Sequence, residues 1–335
     1  MNFLVTGGAG FIGSHFVRHI LRRYPQCRVI NLDKLTYAGN LENLEDVAGD
    51  PRYHFIKGDI ADPEVVRAAM EGAECVVNFA AETHVDRSIT SAASFVQTDV
   101  VGAYTLLEAA RDAGVECFVQ VSTDEVYGSL ETGSATEESP LNPSNPYSAS
   151  KAGGDLLALS YYRTHRFPVL ITRSSNNYGS HQYPEKIIPL FVTNLLQGEK
   201  VPLYGDGLNV RDWLYVEDNC RAIDAIIRLG SPGEIYHVAG GQEMNNRELT
   251  LMLLDLMGFH EEWITMVADR PGHDRRYSLD ASKLRALGWA PEMDFQEGLE
   301  KTVDWYRNNR SWWEKIKSGE YRRYYQQQYP DLKDE

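Results

Sequence analysis

Cysteine is scarce and basic charge is in deficit in this chain of 335 residues, and each shortage removes a class of protein. The four cysteines, Cys27, Cys75, Cys117 and Cys220, are far apart, form no Cys-x-x-Cys pair and lie in or beside apolar runs. That pattern argues against a disulfide scaffold and for reduced core thiols in a cytoplasmic protein. Lys and Arg number 33 against 48 Asp and Glu, a formal net charge of -15 that disfavours nucleic acid as a partner. An anionic small molecule remains open to it, since that needs no more than a local cluster of Arg and Lys. No apolar run approaches membrane-spanning length, and the opening Asn2-Phe3-Leu4-Val5-Thr6 shows no basic segment or cleavage-site pattern, so neither a membrane partner nor a signal peptide is expected. With 43% hydrophobic and 24% charged residues the chain is neither disordered nor fibrous, and its length suffices for one large domain or two modest ones.

What is present is an alternation of short apolar strands with helices. Phe3 to Thr6 reads as a buried strand feeding Gly7-Gly8-Ala9-Gly10-Phe11-Ile12-Gly13, after which Phe16, Val17, Ile20 and Leu21 recur at helical spacing. Gly8, Gly10 and Gly13 satisfy G-x-G-x-x-G, and Gly7, Gly10 and Gly13 the related G-x-x-G-x-x-G. Such glycines allow a tight turn and close approach of a pyrophosphate to a helix N-terminus. The strand Arg28 to Leu32 ends at Asp33, about twenty residues after Gly13, where a carboxylate can bind a ribose diol and repels a 2'-phosphate, so NAD is favoured over NADP. Further strands are expected at Tyr53 to Lys57, Cys75 to Ala81 and Glu116 to Ser122, with helices at Glu64 to Met70 and Phe95 to Ala113. The alternation predicts an α/β fold, a Rossmann-type doubly wound parallel sheet. Ligands bind such sheets at the carboxyl ends of the strands, and Gly7, Asp33, Asp59, Ala81 and Thr123 all lie at such ends.

The stretch from Val121 to Lys151 belongs to the same crevice. Thr123, Asp124 and Glu125 follow an apolar run, and Tyr147 and Lys151, four apart, share one face of a helix. A stacked ammonium is expected to lower the phenol and make Tyr147 a base near neutrality. Adjacent carboxylates suit an acid and a base in different environments, and Asp124 needs a raised pKa, from burial beside Glu125, to hold a proton.

With these residues the chain resembles the extended short-chain dehydrogenase/reductase family, and within it the branch that dehydrates dTDP-glucose. The marks are the glycine loop, Asp59-Ile60, Ala80-Ala81-Glu82-Thr83-His84-Val85-Asp86-Arg87-Ser88, Ser122-Thr123-Asp124-Glu125-Val126-Tyr127-Gly128, Tyr147-x-x-x-Lys151, Ser175-Asn176-Asn177-Tyr178-Gly179, Pro184-Glu185-Lys186 and Arg270-Pro271-Gly272-His273-Asp274. Thr83 stands where many members have Ser, and keeps the hydroxyl. The resemblance implies a lyase that regenerates its NAD: Tyr147 with Lys151 oxidises the sugar at C4, Glu125 removes the C5 proton, Asp124 protonates the departing C6 hydroxyl, and Thr123 positions the C4 oxygen. It places Gly7, Gly10, Phe11, Ile12, Gly13, Asp33, Lys34, Thr36, Asp59, Ile60, Ala80, Ala81, Thr83, Thr98, Tyr147, Lys151 and Asn177 at the cofactor. It places Thr83, Thr123, Asn176, Lys186, Leu190, Pro202, Tyr204, Arg211, Asn246, Arg270, His273 and Tyr277 at the sugar nucleotide, with Arg211 and Arg270 as pyrophosphate partners. It also implies a homodimer through helices at Val100 to Ala113 and Ala152 to Leu159. A UDP-sugar 4-epimerase or a UDP-glucuronate decarboxylase of the same fold stays open as an alternative, although neither has an evident need for the Asp124 and Glu125 pair.

Beyond Tyr178 the alternation breaks. A nucleotide domain at 1–178, with 210–240 returning to it, and a smaller mixed α/β substrate lobe at 179–209 and 241–335 are expected. His15 and His19, four apart, have metal-compatible spacing without a third ligand, and no metal is expected. The tail from Trp312 to Tyr329 interleaves aromatics with Lys and Arg, and its docking on the body or on a partner subunit is expected.

Overall fold

The computed structural model describes residues 1–329; residues 330–335 of the expected C-terminal lobe lie outside it. Its strands are β1 Asn2–Thr6, β2 Arg28–Asp33, β3 Tyr53–Lys57, β4 Cys75–Asn78, β5 Cys117–Thr123, β6 Val169–Ser174, β7 Asn176–Tyr178, β8 Val201–Tyr204, β9 Val210–Tyr215, β10 Ile235–Val238, β11 Glu243–Asn245 and β12 Ile264–Val267. Seven of them form one parallel sheet in the order β10-β6-β5-β4-β1-β2-β3. Strands such as Cys75-Val76-Val77-Asn78 are apolar on both faces because helices cover both. On one side Phe16, Val17 and Ile20 of the first helix, Phe11–Arg23, pack with Ile223 and Ile226; on the other Leu106, Leu107, Ala110 and Ala158 do so. The strand order reverses between β1 and β4, which opens the crevice at their carboxyl ends.

The remaining strands make a three-stranded sheet ordered β11-β9-β7 and a pair β8-β12. They share a separate core that includes Phe191, Leu195, Leu253, Leu299, Tyr306 and Trp313. Of the segment 210–240, β10 joins the edge of the large sheet, whereas β9 pairs with β7 and β11.

Two local departures from the sequence reading matter for the site. The expected strand Cys75 to Ala81 stops at Asn78, so 79–84 is irregular backbone free to meet ligands. The expected continuous helix Phe95 to Ala113 is α-helical at Ala93–Phe95 and Ala103–Asp112 but π-helical between, at Val96–Gly102. A π-turn carries an extra residue, and such turns gather at functional sites. Here two consecutive residues of it, Thr98 and Asp99, both reach the crevice or the helix beside it.

Candidate active site

The glycine loop is built for close approach. A Cβ on Gly7 would lie 2.6 Å from the main-chain nitrogen of Ala80, and one on Gly13 2.3 Å from the Gly7 carbonyl. Gly7 also has φ +68, a conformation that disfavours other residues. The first helix begins at Gly10 with no side-chain cap and no acid in its first turn, so its amide groups and dipole are left for an anion. Asp33, at the end of β2, accepts from the amides of Ala9 at 2.9 Å and Leu35 at 2.8 Å, which fixes its carboxylate beside the loop. Lys34 pairs with Asp59 at 2.6 Å. These observations fit a dinucleotide: a cradle that any Cβ would fill, an uncapped helix end and a fixed carboxylate. A cavity of about 280 Å³ runs along them and is lined by every residue expected at the cofactor, from Gly7 through Thr36, Ile60, Ala81 and Thr98 to Asn177.

The same cavity reaches Thr123, Asp124, Glu125, Tyr147 and Lys151. The last two sit on the helix Pro146–His165, whose start is set by Pro146 in its first turn and by a reciprocal capping box between Asn145 and Ser148. Lys151 donates to the carbonyl of Val121 at 2.7 Å, which ties this helix to the end of β5. The phenol of Tyr147 differs from the expectation: it is held well above its usual value, not lowered. Burial is the main cause, followed by the charges of Glu125, Asp99 and Asp124, and the polar contact with Thr123 opposes them. Burial and the acidic neighbours together set the direction.

Asp124, 3% exposed, is pushed up to about 8 by burial and then by Glu125. Glu125 is also raised by burial, but Arg270, Lys186 and Arg211 pull it back. The two neighbouring carboxyls therefore sit in unlike surroundings. Thr123 links them, donating to Asp124 Oδ1 at 3.0 Å and accepting from the Glu125 amide at 3.3 Å.

A second cavity, of about 150 Å³, meets the first at Glu125, Asn176, Asn177 and Lys186. It is lined by all the remaining residues expected at the sugar nucleotide: Leu190, Pro202, Tyr204, Arg211, Asn246, Arg270, His273 and Tyr277, while Thr83 and Thr123 face the first cavity. Arg211 stacks on Tyr277, with its guanidinium carbon 4.2 Å from the ring centroid, and donates to the Asp274 carbonyl at 2.9 Å. Arg270 approaches Asp86 at 3.4 Å, while its Nε is buried with no partner among the described residues. Three cations at the end of the cavity next to Glu125, with aromatic rings beyond, match a diphosphate followed by a base.

Sequence reasoning assigned no role to several residues that the structure brings here. Glu82, Gln182 and Tyr183 line the first cavity; Asp86, Trp213 and Tyr329 line the second. Asp99 lies behind Tyr147 and accepts from Ser150 at 2.6 Å. The neighbours of Glu82 and Asp86 in the His84 motif were the available signal. Nothing in the sequence pointed to Asp99, and Tyr329 was legible only as part of a tail expected to dock on the body or on a partner subunit. His15 and His19 have protein partners, the Ser180 carbonyl at 3.0 Å and Asp224 at 3.1 Å. The four cysteines are buried and free.

A dinucleotide cradle at the switch point of a parallel sheet, with a Tyr and Lys on the adjoining helix, defines an extended short-chain dehydrogenase/reductase. The chain belongs to the family described as GDP-mannose 4,6 dehydratase, whose model matches residues 4–302. It is 58% identical over 323 residues to a dTDP-glucose 4,6-dehydratase of Streptomyces antibioticus, covering 95% of this chain and 96% of that one. It is similar to the crystal structure of the dTDP-glucose 4,6-dehydratase of Streptomyces venezuelae with NAD and dTDP bound: TM-score 0.93, 56% identity, 94% of this chain and 100% of that one. The UDP-glucose 4-epimerase of Thermus thermophilus, in complex with NAD, is more distant at 34% identity and TM-score 0.85, covering 92% of this chain and 100% of that one.

Proposed function

We propose that the chain is a hydro-lyase that converts dTDP-glucose to dTDP-4-keto-6-deoxyglucose, with NAD regenerated in each turnover. Asp124 supports this best: an acid held to about 8, next to a second carboxyl that burial also raises but three cations draw part of the way back. Oxidation at C4 alone needs no such pair, whereas elimination across C5 and C6 needs both an acid and a base. NAD supplies the hydride acceptor for C4 and the donor for C6, and its oxidised ring adds a positive charge to a site dominated by carboxylates.

The residues of the chain do the rest. Tyr147, whose phenol is raised in the chain alone and would be lowered by the positive charge of the bound nicotinamide, takes the proton from the C4 hydroxyl, with Thr123 orienting the oxygen. The ketone at C4 acidifies the C5 hydrogen, and Glu125 removes it. Asp124, protonated near neutral pH, donates to the C6 hydroxyl, which leaves as water. Glu125 then returns its proton to C5, and loss of the proton held by Tyr147 with uptake of one by Asp124, through solvent, resets the pair. Lys186, Arg211 and Arg270 bind the diphosphate, and the same charges keep Glu125 ionisable as a base.

Incubation with dTDP-glucose followed by mass spectrometry tests the reading. Loss of one water is expected; an isomer of unchanged mass would make the protein an epimerase, and turnover of UDP-glucuronate with loss of carbon dioxide a decarboxylase.

No helix among the described residues is long and apolar enough to cross a membrane. The buried free thiols support a cytoplasmic location. A homodimer is supported by apolar side chains exposed on adjoining helical segments: Val96, Val101 and Tyr104 on one, Leu156, 56% exposed, on the other.

A further inference from the structure

The C-terminal helix Glu320–Gln328 lies beyond the family match, which ends at residue 302. Yet this helix puts its polar and aromatic groups on the substrate site. Tyr321, Tyr324, Tyr325 and Gln328 recur at the three- and four-residue spacing that makes one helical face, and Tyr329 follows at its end. Tyr321 donates to the Pro184 carbonyl at 2.7 Å, in the segment that leads to Lys186. The Tyr324 hydroxyl lies 3.3 Å from His84 Nδ1, and the Arg87 guanidinium lies between two rings, 4.3 Å from the Tyr324 centroid and 3.9 Å from that of Tyr37. Gln328 donates to the Tyr204 hydroxyl at 2.7 Å, and Tyr204 donates in turn to Asp86 at 3.4 Å. Tyr329 is buried, packs with its centroid 5.8 Å from that of Tyr204, and lines the second cavity.

We propose that this helix is a strap that completes the substrate cavity, with Tyr329 forming part of the wall against which the pyrimidine base rests and Gln328 fixing the Tyr204 ring. The proposal rests on the dTDP-sugar reading of the site. It assigns the strap to binding and not to chemistry, because Asp124, Tyr147 and Lys151 line the first cavity and Tyr329 the second. The wall at the strap end is aromatic and apolar, from Tyr204, Tyr329, Pro202 and Leu190, and suits a planar base that carries no charge.

The test uses the full chain with Tyr329→Ala or Gln328→Ala, and a chain ending at Ser318. An aromatic wall contact corresponds to a rise of about three- to tenfold in KM for dTDP-glucose and in Kd for dTDP. The kcat and the affinity for NAD should stay within about twofold, and dTDP, but not NAD alone, should slow hydrogen exchange in 320–328. Unchanged or lowered KM and Kd in both point variants would overturn the proposal, as would absence of dTDP-dependent protection. If the truncated chain does not fold, the point variants decide. A wild-type chain that binds dTDP through Tyr329 but leaves dTDP-glucose unchanged keeps the strap and defeats the reaction; normal turnover insensitive to Tyr329 does the reverse.

Discussion

Thr123 donates its hydroxyl to Asp124 Oδ1 at 3.0 Å, and Asp124 Oδ2 is buried without a partner among the described residues. One oxygen is thus positioned by the end of β5 and the other is left for a proton that can be passed on. Asp124→Asn keeps the shape and removes the transferable proton. It should leave C4 oxidation, read as reduced nicotinamide in a single turnover, within a few-fold of wild type. Loss of water should slow by about 10²- to 10³-fold, in the range of general acid catalysis. Equal loss of both steps would sink the assignment.

The same carboxyl links pH to stability. Its folded pKa, about 8, lies above the ordinary value of 3.8, so across that window the folded state binds the extra proton. Stability is therefore lost as pH rises from the unfolded value towards the folded one. In Asp124→Asn this loss is absent, so its melting temperature should gain on wild type steadily from about pH 5 to about pH 8. A constant offset across that range would show that Asp124 ionises normally.

Asp99 offers a handle on Tyr147 from behind. It accepts from Ser150 at 2.6 Å, and its pKa is raised to about 6 by burial and by the Glu82 charge, against the pull of Lys151, the Ser150 hydroxyl and the Glu82 amide. Above about pH 6 it is an anion that, with Glu125, opposes ionisation of the phenol, joined by Asp124 above about pH 8, while Thr123 favours it. Asp99→Asn removes one negative charge and keeps an acceptor for Ser150. The acid limb of C4 oxidation should then move to lower pH by about 0.5 to 1 unit. A fall in rate at every pH without movement of the limb would leave Asp99 a packing residue.

The contrast between Asp124 and Asp99 shows what the chain discloses before it folds. Asp124 could be read because its neighbours are local: Thr123, Glu125 and the apolar run of β5 stand together in the sequence. The glycine loop and Asp33 were legible for the same reason, since strand, turn and helix N-terminus are contiguous. Asp99 acts through Ser150, fifty-one residues away, and reaches it from a π-turn that helical periodicity does not announce. Tyr329 looked like part of a generic aromatic tail until the chain brought it back to Tyr204. The rise of the Tyr147 phenol was hidden too, because it sums burial with carboxylates from separate segments. The expected lowering by Lys151 counted the one neighbour visible at helical spacing.

The exposed apolar residues of the helical pair give the last test. Tyr104, 49% exposed, lies on the segment 103–112, and Leu156 on the helix that carries Tyr147 and Lys151. Glu at either position meets water in a lone subunit, so Leu156→Glu and Tyr104→Glu should change the stability of the isolated chain by no more than about 0.5 kcal/mol. Buried between two copies, a charge left unpaired is strongly unfavourable. Sedimentation should therefore show a dimer for wild type and a monomer for the double variant at the same concentration. Tyr147 and Lys151 lie on the same helix as Leu156, so the monomer also reports whether the site needs its partner. If both chains sediment alike, the apolar face serves something other than a second copy.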